Sequence, residues 1–307
     1  METRARLGLV VAALAIVYVV WGSTYLGIRV VVEEMPPLTG MGSRFLLAGL
    51  LLGGVLALRG TDLRVTRAEF AGAALLGLLL PLLGNGFVAI GEDIGAPSGV
   101  AALLVAAVPL FVTLYRVITG DWPRVWSVVG VLLGFGGLAW LVLGGRDEGH
   151  VPLAGAAIVL LASSFWAFGS WVTPRLTLPK NPFVLAVHEM WTGGVMMLAL
   201  GLVRGEHFTP FDYSERVWLA WSYLVVIGSM LAFSAYVWLL SNAPIGIVAT
   251  YAYVNPVVAV FLGWLILDEP ITSAVVTGGL VIVAAVAIVI TVERPRTPVE
   301  EAALDPV

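Results

Sequence analysis

Ionisable side chains inside long apolar stretches are the residues of this sequence most able to do chemistry. Arg44 lies about seven residues into one such stretch, and Glu189, next to His188, lies about seven residues into another. Charged groups are costly in a bilayer and are usually functional there. We interpret Glu189 or His188 as a proton acceptor and Arg44 as the binding group for an anionic substrate. The alternatives are a structural Arg44–Glu189 pair, side chains that reach water at opposite faces, or a carbonyl partner for His188.

Aromatic and hydroxyl side chains recur at helical spacing in two of the apolar stretches. Tyr18, Trp21 and Tyr25 share one helix face, and Ser163 and Trp166 share another. A wall of this kind binds an aromatic or amphipathic substrate, or a cation through its charge. We therefore predict that Trp21, Ser163 and Trp166 line a binding cavity. The alternatives are helix packing and the aromatic belt at the membrane interface.

Polar residues and prolines also interrupt three other apolar stretches. Tyr251 and Asn255 precede Pro256, Pro109 lies within an earlier stretch, and Asn85 lies between two glycines. Proline frees a backbone carbonyl one turn earlier in a helix, and such irregular backbone is tolerated where it faces a cavity. We predict that Tyr251, Asn255 and Asn85 bind substrate and that Pro109 and Pro256 are hinges or kinks. Packing kinks and an interhelical hydrogen bond from Asn85 are the alternatives.

Several chemistries have no motif in this sequence. It contains no Cys, which excludes disulfides and thiolate metal sites, and its three His residues show no metal-binding spacing. A GxxxxGK[ST] loop and a GxSxG turn are both absent, so neither direct use of ATP nor a serine hydrolase is expected. We predict a non-enzyme with no catalytic residue, no cofactor, no metal and no nucleic-acid partner.

The composition requires a membrane environment for these residues. The chain has 307 residues, of which 60% are hydrophobic and 12% are charged. Soluble domains are about 25% charged, so this much apolar surface cannot be buried in one water-soluble core. The sequence predicts an all-α integral membrane protein.

Ten apolar stretches are each long enough to cross the bilayer as a helix. Between them lie short breaks with charges or proline, among them Glu92-Asp93. The segments are apolar on all faces, which excludes the alternating pattern of barrel strands. The first is too long for a cleaved signal peptide. The predicted spans are 7–28, 38–58, 69–91, 96–118, 125–144, 152–173, 182–203, 216–240, 244–267 and 271–292.

Basic residues indicate how the bundle is oriented. Ten crossings put both termini on one side, and most of the 16 Lys and Arg residues fall in the loops of that side. The positive-inside rule therefore predicts that both termini are cytoplasmic. The protein is expected in the inner (plasma) membrane as a multi-pass protein.

The sequence contains an internal duplication. The segment 96–121 matches 243–268 without a gap when shifted by 147 residues, and a shift of 145 aligns earlier positions. Each repeat has five spans, so the second enters the membrane from the opposite side, a plan that recurs in secondary transporters. We predict repeats at 1–147 and 148–293 and a cytoplasmic tail at 294–307. Matching positions include Trp21 and Trp166, Pro37 and Pro182, Arg44 and Glu189, Pro109 and Pro256, and Asp121 and Asp268.

Five segments in order fit the pattern of a known family over essentially the whole chain. They are Trp21 to Thr24, Pro37 with Arg44 and Phe45, Ala96-Pro97 with Pro109, Phe165 to Ala167, and Asn255-Pro256 with Asp268 to Pro270. In these residues the chain resembles the drug/metabolite transporter superfamily, specifically its bacterial EamA branch. The resemblance implies a 5+5 inverted repeat, peripheral fifth and tenth spans, and export of small metabolites through a central cavity.

These observations favour a secondary exporter of amino acids or related amphipathic compounds that works by alternating access. One alternative is a carrier of sugar phosphates or nucleotide sugars, whose two negative charges fit poorly with a single intramembrane cation. The other is an intramembrane enzyme or an assembly factor that transports nothing. The expected partners are a small-molecule substrate and the lipid bilayer. The spacing of Gly130 and Gly134 indicates close helix packing, and the alternative is a homodimer through the fifth and tenth spans.

Overall fold

The computed structural model describes residues 2–143, 152–209, 211–243, 245–248 and 250–292. Within these ranges every regular element is helical. The predicted tail and the predicted boundary between the halves at 147/148 lie outside the described residues. The main helices are α1 (Gly8–Val32), α2 (Pro37–Leu58), α3 (Arg67–Asp93), α4 (Ser98–Ile118), α5 (Val125–Leu143), α6 (Leu153–Arg175), α7 (Pro182–Val203), α8 (Glu215–Leu240), α9 (Tyr251–Leu267) and α10 (Ser273–Val292).

Nine of these helices, counted over the described part of the chain, are long and apolar enough to cross a membrane. The exception is α9, whose apolar part is shorter and which follows a separate turn of helix at Ile245–Val248. The predicted span 244–267 is therefore divided near residue 250. The bounds of the other nine agree with the predicted spans to within a few residues, and the tenth crossing stays a prediction.

Local sequence signals set the helix ends. Pro37 and Pro182 occupy the first position of α2 and α7, where the missing N–H costs no hydrogen bond. Gly60, Gly120 and Gly205 follow the ends of α2, α4 and α7 with φ values of 76°, 84° and 77°. Glycine adopts this left-handed conformation without strain and ends a helix cleanly.

Small residues bring three pairs of helices into close contact. A Cβ atom on Gly194 of α7 would lie 2.7 Å from the backbone N of Leu46 in α2, so the two backbones touch. On α5, a Cβ on Gly130 would lie 2.8 Å from Val289 of α10, and one on Gly134 would lie 2.3 Å from Leu110 of α4. The Gly130–Gly134 surface is thus filled within one chain. This agrees with the packing role predicted for the pair, and a homodimer through α5 and α10 stays a prediction.

Three helices contain wider π-helical segments: Val17–Trp21 in α1, Leu78–Gly86 in α3 and Leu224–Phe233 in α8. Segments of this kind occur frequently at functional sites. Each of the three contributes residues to the same central cavity, whereas the sequence pattern had predicted ordinary helix throughout.

Candidate functional site

A cavity lies between α1, α2, α3, α4, α6, α8 and α9. It contains about 610 Å³ of empty space including its open mouth, and its wall is mostly apolar. The residues predicted to bind substrate that line it are Trp21, Arg44, Asn85, Ser163, Trp166 and Tyr251.

Four aromatic side chains form a cluster at this cavity. The ring centroid of Trp21 lies 5.6 Å from that of Trp166, 4.7 Å from that of Tyr236 and 5.5 Å from that of Tyr251. The two tryptophans are edge-to-face, a favourable arrangement for aromatic rings. Trp21 and Trp166, both predicted to line a binding cavity, are in direct contact. Sequence reasoning missed Tyr236, because nothing in its surrounding apolar run distinguishes it.

Arg44 is a buried cation in the wall of the cavity, with 2% of its surface exposed. Its Nε donates to Ser229 Oγ at 2.9 Å and to the Leu224 carbonyl at 3.2 Å. The guanidinium carbon lies 4.7 Å from the centroid of the Phe45 ring. No carboxylate of the described residues lies within ion-pair distance of Arg44, so the predicted alternative of a structural pair with Glu189 does not hold.

Ser163 and Asn85 both line the cavity. Ser163 is buried, and its hydroxyl lies 3.0 Å from the carbonyls of both Leu104 and Val159. It therefore ties α6 to α4, and only its lone pairs remain for a ligand. Asn85 lies within the π-helical segment of α3. Its side chain is half-buried and lines the cavity.

Asn255 lies behind the cavity, which revises its predicted role in binding. The side chain is 3% exposed and is not among those that line the cavity. In the amide orientation that satisfies its neighbours, its N donates to the Tyr251 carbonyl at 3.2 Å and to the Tyr18 carbonyl at 3.1 Å. Tyr18 also bonds to Thr250 through their hydroxyls. Asn255 thus joins α9 to α1 and positions Tyr251.

The two predicted prolines act differently. In α4 the helix is broken at Ala106 and Ala107, and Pro109 is the second residue of the helical segment that follows. The break leaves Val105 in the cavity wall. Pro256 instead lies inside α9, and the interruption of this span falls about six residues before it. Pro109 is therefore next to a hinge-like break, whereas Pro256 is enclosed in continuous helix.

Glu189 and His188 lie in the contact between α7 and its neighbours and not in the cavity wall. Glu189 is 2% exposed, and its Oε2 has no hydrogen-bond partner among the described residues. His188 Nδ1 lies 2.8 Å from the Val184 carbonyl, the kind of partner that the alternative interpretation had assigned to it. Glu189 interacts electrostatically with Tyr236 of the aromatic cluster. Glu189 therefore has a buried oxygen without a partner among the described residues and an interaction with the aromatic cluster, whereas His188 is engaged within its own helix. Glu189 is the stronger of the two proton candidates.

Three carboxylates at one end of the bundle bind helix N-termini. The loops 33–36, 94–97, 204–214 and 268–272 meet there, and we call this end the acidic face. In each contact the carboxylate and the helix belong to different halves of the chain. The hydrogen bonds run from Ser214 N to Glu34 Oε2 (2.6 Å), from Thr39 N to Glu206 Oε2 (2.8 Å), from Ser98 N to Glu269 Oε1 (2.7 Å) and from Gly99 N to Glu269 Oε2 (3.1 Å).

These contacts are charge-assisted and are further stabilised by the positive end of the helix dipole. The hydrogen bond from Ser214 N lowers the pKa of Glu34 below its ordinary value. The stability that ionised Glu34 gives to the folded protein is therefore present at neutral pH. It is lost as the pH falls through the lowered pKa.

The opposite end, with the loops 59–66, 119–124 and 173–181, is the basic face, and its helix caps are mostly local. Thr66 and Glu69 form a reciprocal capping box at the start of α3, and Asn181 accepts from Phe183 N at 3.0 Å. Arg116 pairs with Asp121 at 2.7 Å, which lowers the pKa of Asp121. Hydrogen bonds from helix N-termini to carboxylates therefore join the two halves at the acidic face, whereas the contacts described at the basic face lie within one half.

Comparison with known proteins shows the family to which the chain belongs. The model of the EamA-like transporter family matches the chain twice, over residues 7–143 and 153–291. The chain is 43% identical over 251 residues to the "Uncharacterized inner membrane transporter YedA" of Escherichia coli (strain K12), covering 82% of this chain and 80% of the relative. It is 24% identical over 280 residues to the "Probable amino-acid metabolite efflux pump" of Salmonella typhimurium (strain LT2), covering 88% and 90%.

A solved structure supports the fold. A crystal structure of a protein 17% identical in sequence superposes with a TM-score of 0.65, covering 95% of this chain and 99% of the other. At this identity the likeness concerns the arrangement of the helices alone. It places this chain in the same overall architecture.

Proposed function

Because the chain belongs to the EamA-like transporter family, we propose that it is a multi-pass inner-membrane exporter of a small amphipathic metabolite. The names of its relatives support this proposal: one is an inner membrane transporter and another is an amino-acid metabolite efflux pump. In the proposed arrangement ten helices cross the bilayer with both termini in the cytoplasm. The basic face then lies inside and the acidic face outside, as the positive-inside rule requires.

The observation that carries the proposal is Arg44, a buried cation in the cavity wall with no carboxylate partner among the described residues. A buried charge without a partner is costly, and an anionic group of the substrate would supply the missing partner for Arg44. Its Nε is already bound to Ser229 and Leu224, which fixes the plane of the guanidinium. A Cβ on Gly228 would lie 3.2 Å from Nη2, so glycine at this position keeps the guanidinium uncovered in the cavity wall.

The rest of the wall favours a substrate with an apolar or aromatic part. Trp21, Trp166 and Tyr251 present ring faces and edges within a few ångströms of one another. A molecule with a carboxylate on Arg44 and an apolar group among these rings would match both features. Amino acids and related amphipathic compounds meet this description. A sugar phosphate or nucleotide sugar carries two negative charges, for which Arg44 provides one cation in the cavity wall.

The role of the aromatic wall can be tested with one substitution. Trp166→Ala should lower export of the substrate about tenfold or more, because losing an aromatic contact costs about 1.5 kcal/mol. The measurement is an untargeted comparison of metabolites in the medium of cells that express the intact chain, the variant or an empty vector. Trp264→Ala is the matched control, since Trp264 lies on α9 with 49% of its surface exposed. Equal export by both variants would exclude Trp166 from the binding site.

The acidic-face contacts support alternating access between two conformations. The three carboxylates hold the two halves together at the proposed outer end. Shifts of 145 and 147 residues place Pro179, Thr61 and Trp122 at the positions equivalent to Glu34, Glu206 and Glu269. The inverted repeat therefore lacks these contacts at the cytoplasmic end. This asymmetry favours a resting state that is closed to the outside.

Removing the carboxylates should open the acidic face. We expect Glu206→Ala and Glu269→Ala each to raise the outward-open population about tenfold, since a helix cap contributes about 1 to 2 kcal/mol. The native chain has no Cys, so a single cysteine introduced in place of the buried cavity residue Val88 reports accessibility to a membrane-impermeant maleimide added outside. Glu215→Ala, an exposed glutamate in the first turn of α8, is the control. A labelling rate that stays the same in all variants would contradict the role of these contacts.

A further inference from the structure

A second buried carboxyl group lies outside the cavity. Glu92, near the end of α3, is 0% exposed, and neither of its carboxyl oxygens has a hydrogen-bond partner among the described residues. An ionised carboxylate without partners is among the most costly groups to bury, whereas the protonated form is far cheaper. The sequence pattern had placed Glu92 in a break between spans, where water would have solvated it.

The neighbours of Glu92 make an ionised state still less favourable. Glu269 interacts electrostatically with Glu92, and its own carboxylate is fixed by three hydrogen bonds from the backbone N and hydroxyl of Ser98 and from Gly99 N. Arg29 supplies the opposite charge, but its Nη1 is bound to the Glu92 backbone carbonyl. Tyr25 is the remaining titratable group that interacts with Glu92.

The position of Glu269 is built into the chain around it. Asp268 adopts a left-handed conformation with φ of 52°, which turns the chain back at the end of α9. The N of Glu269 then donates to the Gly263 carbonyl at 3.1 Å. A Cβ on Gly263 would lie 2.3 Å from Glu269 Oε2, so only glycine leaves room for this carboxylate. The negative charge beside Glu92 is therefore held in place as long as Glu269 caps α4.

We propose that Glu92 is a proton-binding site, separate from the central cavity, which holds its proton while Glu269 caps the N-terminus of α4. When the acidic face opens, Glu269 leaves Ser98, water reaches Glu92, and the proton passes to water on the outside. Tyr25 lines the cavity and also interacts with Glu92, which connects the site to the substrate pathway. A metal ion is a poorer occupant than a proton, because Arg29 is close and the Glu269 oxygens are already bound.

Only the use of this proton in transport depends on the proposed function, and a measurement without substrate separates the two. Infrared spectroscopy of the purified protein at neutral pH should show the carbonyl band of a buried protonated carboxyl group. Glu92→Gln should lose one component of the absorption in this region, and Glu189→Gln should retain that component. Gln mimics the protonated acid, so Glu92→Gln should also unfold at the same temperature as the wild type or higher.

Two results would overturn the proposal. The first is a folded Glu92→Gln protein whose spectrum in this region equals that of the wild type. The second is a marked loss of thermal stability in that variant together with an unchanged band, as expected for an ionised carboxylate paired with Arg29. If Glu92→Gln does not fold, Glu92→Asp provides the test: the band should shift in frequency, and an unshifted band would equally contradict the proposal.

Discussion

Replacing Arg44 with Gln is expected to reduce transport of a carboxylate substrate at least about thirtyfold. Losing one partner of a buried, hydrogen-bonded charge pair costs about 2 to 5 kcal/mol, and each 1.4 kcal/mol corresponds to a factor of ten. Gln can still donate to the Leu224 carbonyl or to Ser229, so the local packing of α2 against α8 should survive. The effect should therefore appear in the apparent affinity for the substrate, with the protein still folded.

A matched pair of variants distinguishes charge from packing in this experiment. Arg44→Lys keeps the positive charge but loses the planar guanidinium, so it should restore part of the affinity. Affinity for a neutral analogue of the substrate should change little in either variant. If Arg44→Gln transports the carboxylate substrate as well as the wild type, Arg44 is a structural residue and the proposed binding mode is wrong.

The second large effect concerns proton coupling. Glu189→Gln is expected to abolish the dependence of transport on a pH gradient, because Gln has nearly the shape of a protonated Glu but cannot release a proton. The structure provides the setting for such a role: Glu189 is buried, its Oε2 is free of described partners, and it interacts with Tyr236 next to the cavity. Exchange of substrate without net flux should continue in the variant.

Transport into proteoliposomes with and without an imposed pH gradient measures this effect. Glu215→Gln is the control, since Glu215 is exposed at the start of α8. Gradient-driven accumulation that persists in Glu189→Gln would remove Glu189 from the coupling mechanism. His188→Gln should have the smaller effect, because His188 Nδ1 is engaged with the Val184 carbonyl inside its own helix.

Much of the fold follows from the distribution of apolar residues. Long uncharged stretches, terminal prolines such as Pro37 and Pro182, and glycines such as Gly60 and Gly205 determine where the helices begin and end. The duplication and the 3.6-residue periodicity together place Trp21 and Trp166 on related helices, and the structure brings them into contact. These are local or repeating signals, which a single sequence carries directly.

Other features depend on packing between distant segments and have no such signal. Tyr236 follows the π-helical segment of α8 and contacts Trp21 of the cavity wall, and nothing in the run Leu224–Phe233 predicts the extra residue per turn. The sequence predicts Asn255 as a ligand, yet its amide donates to the carbonyl of Tyr18, more than two hundred residues away. The sequence places Glu92 in a break between spans, whereas the structure buries it and brings Glu269 from far along the chain close to it.

Flux through the purified protein alone tests the proposed export most directly. The compound enriched in the medium by the intact chain is isotopically labelled and loaded into liposomes that contain only this protein, and its release is followed with Arg44→Gln liposomes as the control. We expect saturable release of the chemically unchanged compound, at a much higher rate from wild-type liposomes than from Arg44→Gln liposomes. Equal release from wild-type, Arg44→Gln and protein-free liposomes, or release of a chemically altered product, would contradict it.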